Sequence, residues 1–119
     1  MATTVSRIPL SGSTNGRGIK IAATATAGTL VHTGTSSATD CDVVTLYAHN
    51  SSGSAVNLTI EYGGVSSPDD LIILSIPAST GLTLVVPDLV IRNSLVVRAF
   101  AGTTNVVMVH GFVNRVATT

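Results

Sequence analysis

The stretch "AVNLTIEYG" (residues 55–63) alternates without a break: Val56, Leu58, Ile60 and Tyr62 are interleaved with Asn57, Thr59 and Glu61. A two-residue period fits an extended strand with one face turned to a core. "DVVTLYAHN" (residues 42–50) repeats the pattern, with Val44, Leu46 and Ala48 on one face and Thr45, Tyr47 and His49 on the other. No segment carries a helical period, and the β-branched and small residues that dominate the chain are poor helix formers. The chain is therefore expected to be all-β. The polar connector "NSSGS" between these two strands holds a glycine free to take a positive φ, which predicts a β-hairpin across residues 46–64.

The other runs follow at short intervals. "GIKIAATAT", "GTLVHTG", "LIILSIP", "LTLVVP", "DLVI", "LVVRAF" and "VVMVHGFVNRV" are separated by Gly, Pro, Asn, Asp and Ser turn signals. Eight or nine short strands of this kind predict a single antiparallel β-sandwich or jelly roll spanning residues 18–119. Residues 1–17, "MATTVSRIPLSGSTNGR", have no amphipathic period and read as a flexible, extended N-terminal arm. Its one apolar anchor is Ile8-Pro9-Leu10, beside Arg7.

Some runs, such as "LIIL" and "LVVP", are apolar at consecutive residues, the pattern of a strand buried on both faces. A sandwich of 119 residues normally leaves one face of each sheet in water, so a contact with another subunit is expected on the outer face. Charge points the same way. Six basic residues balance six acidic ones, whereas soluble monomers tend to carry net charge. With one lysine and five arginines, no basic face for phosphates is expected, which argues against a nucleic-acid partner. No apolar run reaches the length of a membrane span and none resembles a signal peptide, so no membrane partner is expected and synthesis is placed in the cytoplasm. The lone Cys41 excludes an intramolecular disulfide and fits that compartment.

The sequence holds few candidates for chemistry. His32, His49 and His110 are widely spaced and form no zinc motif, so no metal is expected. Serines and aspartates abound, but no GxSxG elbow frames a nucleophile, and no catalytic residues or cofactors are expected. Cys41 lies between Asp40 and Asp42, whose charges disfavour a thiolate. "SPDD" supplies too few oxygens for calcium by itself, and "GSTNGRG" lacks the ending of a phosphate loop. Asn50-Ser51-Ser52 and Asn57-Leu58-Thr59 match the glycosylation pattern but have no secretory context. Sugar sites stack a pyranose ring on an exposed aromatic. Tyr62 and Phe112 take positions that look inward, which leaves Tyr47, beside His49, as the glycan platform.

The segments "GIKIAATATAGTLVHT", "LYAHNSSGSAVNLTIEYGGVSSPDDLIILSIPASTGLTLVVPDLVIRNSLVVRAF" and "NVVMVHGFVNRV" together resemble the small all-β virion proteins of tailed bacteriophages, in particular capsid decoration or cement proteins. The likeness lies in the style and order of segments, since that family has no short diagnostic motif. It implies a non-enzymatic structural protein on the outer capsid surface of a virion. Its partners would be the major capsid protein and further copies of itself, often as a homotrimer. The arm, with Arg7, Ile8, Pro9 and Leu10, is the candidate grasping element, and its deletion is expected to leave the β-domain folded. A glycan- or receptor-binding module of a tail tip or fibre, using Tyr47 and His49, is the alternative.

Overall fold

A computed structural model describes residues 2–118. The described residues form nine strands and no helix: β1 (Thr3–Pro9), β2 (Ile19–Lys20), β3 (Thr29–Thr33), β4 (Cys41–Asn50), β5 (Val56–Tyr62), β6 (Leu71–Ile76), β7 (Thr83–Ile91), β8 (Val96–Ala101) and β9 (Val107–Thr118). They make two antiparallel sheets. One runs β1-β9-β4-β7, with β2 continuing the β1 edge along β9, and the other runs β3-β8-β5-β6. The all-β expectation and the sandwich-like packing are met.

The core lies between the sheets and is almost wholly aliphatic. Val44, Leu46 and Ala48 of β4, Leu58 and Ile60 of β5, and Val109 and Val113 of β9 interlock there. These are the same-parity positions of each alternating run, as the pleat requires. Burying a side chain of this size contributes roughly 1.5–3 kcal/mol each.

Three local expectations are corrected. Residues 46–64 are not a hairpin, because β4 belongs to the first sheet and β5 to the second. The reason is Asn50, fully buried at the corner. Its amide nitrogen donates to the carbonyls of Ser54 (2.8 Å) and Ile76 (3.0 Å), and its side-chain oxygen accepts from the Ser52 amide (2.9 Å). Those bonds hold the chain in a crossing between sheets. Next, Thr59 and Glu61 take outward positions on β5 but are buried, Glu61 because the segment before β3 folds over it. The Thr26 hydroxyl (2.5 Å) and the Gly28 amide (2.7 Å) both donate to the Glu61 carboxylate. Finally, Phe112 faces outward, because Val107, Val109 and Val113 take the inward parity of β9.

The segment expected as an arm is, over Thr3–Pro9, a strand paired with β9 in register from Thr3↔Thr118 to Pro9↔Phe112. Ile8 packs on the core from its edge and Leu10, 2 % exposed, lies within it. Both anchor residues are thus occupied by their own domain. Deleting residues 1–17 would open the β9 edge and remove a core leucine, so it is no longer a neutral truncation.

Candidate functional site

Two polar constellations stand out, one closed and one open. The closed one is built on Asp42, an acidic residue on the inward parity of β4 and fully buried. Its register partner on β9 is Arg115, whose Nε and Nη2 donate to the two carboxylate oxygens at 2.7 and 2.9 Å. The Thr35 amide donates to Oδ2 at 3.0 Å, and His32 Nε2 lies 2.8 Å from the same oxygen. The other imidazole nitrogen, Nδ1, accepts from the Ser11 amide at 3.1 Å. An acceptor nitrogen carries no proton, so the proton sits on Nε2 and His32 donates it to Asp42.

Ser11, His32 and Asp42 therefore meet, which their spacing in the chain does not announce. They do not make a proton relay to a substrate. The Ser11 hydroxyl accepts from the Thr33 amide at 2.7 Å rather than facing the imidazole, and His32 is 1 % exposed. The cluster clamps the β1–β2 loop, β3, β4 and β9 to one another. Burial pushes the Asp42 carboxyl up, but the hydrogen bonds from Arg115 and His32, together with the Arg115 charge, outweigh it and leave the pKa below the usual value of 3.8. The Asp42 bond likewise raises Arg115. Tyr62, whose hydroxyl donates to the Leu89 carbonyl at 2.8 Å, is raised by burial and by the Asp42 charge.

The open constellation is a groove of about 380 Å³ on the outer face of the five-stranded sheet. Tyr47 stands on β4 with Leu84 opposite it on β7. Thr45, two residues back, pairs with Phe112 on β9. The Arg7 guanidinium from β1 lies over the Phe112 ring, 4.3 Å from its centroid, and its Nε donates to Asn114 Oδ1 at 3.1 Å. Across the groove Asp88 takes a left-handed conformation (φ 51°) and accepts from the Thr45 hydroxyl at 2.7 Å. Pro87 and Asp88 interrupt the regular pairing of β7 with β4 between Leu89↔Val44 and Val86↔Leu46, so β7 bulges and turns the carboxylate into the groove.

Of the residues marked from sequence, Arg7 and Tyr47 come together here. Ile8 and Leu10 turn away to the core, and Pro9 is exposed at the end of β1. His49 does not share the groove, since its Nδ1 donates to the Thr80 carbonyl on the loop before β7. Phe112, Asp88 and Asn114 were missed, and the parity of β9 was the signal that would have found Phe112. A second hollow, of about 430 Å³, is lined by Gly12, Arg17 and Lys20 near Leu30, with both cations exposed. Among the described residues no group of three or more His, Cys, Asp or Glu could hold a metal ion. Cys41 is a free, half-buried thiol. No known protein family, curated protein or solved structure matches the chain.

Proposed function

We propose that this chain is a non-enzymatic structural component of a phage virion, a head decoration or cement protein on the outer capsid surface. In this reading it assembles as a homotrimer and bridges neighbouring subunits of the major capsid protein. The observation that carries the reading is where the doubly apolar runs leave their side chains. In "LIIL" of β6, an edge strand, Ile73 is 62 % exposed, and in β7, the edge of the other sheet, Val90 faces solvent. Leu82 and Leu95 in the flanking turns are exposed as well. Apolar side chains on open sheet edges are an invitation to further pairing or packing. A chain with no net charge has little to oppose it.

The strand orders β1-β9-β4-β7 and β3-β8-β5-β6, with the chain repeatedly crossing between sheets, support the finer description of a jelly roll. Viral coat and lectin domains both use that architecture, so it supports the class of reading by analogy and does not choose within it. Area and symmetry do the work of a cement: each copy adds a modest contact, and the trimer multiplies them through effective concentration.

The test is co-sedimentation of the purified protein with empty head shells of the phage whose genome carries it. Saturable pelleting is expected, weakened by about tenfold or more in Ile73→Asp, which would bring an unpaired charge into the contact between copies and so remove the trimer's multivalent hold on the shell. Protein that stays in the supernatant at every ratio would refute the reading.

A further inference from the structure

The groove on the outer face of the five-stranded sheet has a composition that packing does not require. Its polar groups are only partly used. Asp88 spends one carboxylate oxygen on Thr45, and Asn114 spends its side-chain oxygen on Arg7. Among the described residues the second Asp88 oxygen, the Asn114 amide nitrogen and the Tyr47 hydroxyl have no protein partner. Acceptor, donor and aromatic ring thus converge on one hollow of about 380 Å³. The charges of Arg7 and Asp88 balance, and Arg7 is already held over Phe112.

From this geometry we infer that the groove is a saccharide site that takes one neutral hexopyranose unit of a glycan. The apolar face of the sugar ring lies on Tyr47, with Leu84 extending the apolar floor. Two adjacent ring hydroxyls meet Asp88, which accepts, and Asn114, which donates. With a carboxylate and an amide lining one hollow, one hydroxyl of a vicinal diol can donate to Asp88 while its neighbour accepts from Asn114. An anionic ligand fits less well, because the Arg7 guanidinium already lies over Phe112 and donates to Asn114, and Asp88 repels anions. The volume lies at the small end of ligand pockets and suits one sugar ring rather than a large cofactor. Ile73 stands on the other sheet and does not line the groove, so this site does not depend on the contact between copies proposed above.

The experiment is a titration of the full-length, isotopically labelled protein with the methyl glycosides of glucose, galactose, mannose and N-acetylglucosamine, followed by amide NMR. At least one of the four is expected to bind in the millimolar range typical of a single sugar ring and to shift amide signals of Tyr47, Asp88 and Phe112 together. Tyr47→Ala is expected to weaken that binding about tenfold, the effect of losing one aromatic stacking surface. Tyr47→Phe, which keeps the ring, should retain most of it. Asp88→Asn supplies a second probe should Tyr47→Ala fail to fold, and it too is expected to weaken binding. If none of the four glycosides moves these signals, the site is not a hexopyranose site. Shifts that survive both Tyr47→Ala and Asp88→Asn would place binding elsewhere and overturn the assignment equally.

Discussion

Replacing Gly111 with alanine is expected to destabilise the domain by about 3 kcal/mol, near the upper end of what overpacking a tight site costs. Gly111 lies in the middle of β9, in register with Leu46 of β4, at the heart of the five-stranded sheet. A Cβ there would stand 2.1 Å from the Thr45 carbonyl oxygen and 3.2 Å from the Leu46 Cα. Both neighbours are backbone, so no side-chain rotamer can relieve the collision. The two central strands would have to part, and with them the pairing that positions Tyr47 and Phe112. For a chain of this size the melting temperature should fall by roughly 10 °C or more. Gly53→Ala is the control, since a Cβ at Gly53 meets nothing within 4 Å. Equal melting temperatures for the two variants would contradict the account of the β4–β9 contact.

Asp42→Ala is expected to cost about 3 kcal/mol as well, for a different reason. It leaves the His32 Nε2–H and the Thr35 amide without their acceptor, in a site where His32 is 1 % exposed. The loss of Arg115 pairing adds less, because that side chain is 38 % exposed and water takes over part of its solvation. The variant also carries a pH signature. Asp42 has a lowered pKa in the folded chain, so its contribution is fully present above the unfolded carboxyl value, near 3.8. It is lost as pH falls through the lower folded value. The stability gap between wild type and Asp42→Ala should therefore be flat from neutrality down to about pH 5 and narrow only below about pH 4, by chemical denaturation at each pH. A gap that opens on acidification would mean that Asp42 is not held as the paired carboxylate.

The sequence announced the strands because the period of two survives in most of them. It placed the core of β4 and β5 correctly, at Val44, Leu46, Leu58 and Ile60. What it hid lay between strands. "NSSGS" has the composition of a hairpin loop, and only the burial of Asn50 makes it a corner between sheets. Glu61 has outward parity, and its burial depends on residues 26–28 folding back over it from another part of the chain. Asp42 was read only as a neighbour of Cys41, although its burial had a signal in the sequence. The alternation through Val44, Leu46 and Ala48 extends back to it, and an acid on that parity needs an internal partner. Its partners, 10 and 73 residues away in the chain, were not legible, since strand order decides them. The groove was half visible: Tyr47 stood out as the aromatic on the outer face of β4, where it is half-buried, while Asp88 depends on the β7 bulge and Phe112 on the register of β9.

The account rests centrally on the claim that the apolar side chains on the β6 edge, Ile73 above all, are covered by other copies of the chain. The absolute mass of the purified protein in solution, from size-exclusion chromatography with light scattering, tests it most directly. A mass three times the 12.1 kDa of one chain is expected, with Ile73→Asp shifted toward the single chain while keeping its fold. A wild-type mass of one chain at every concentration would contradict the claim.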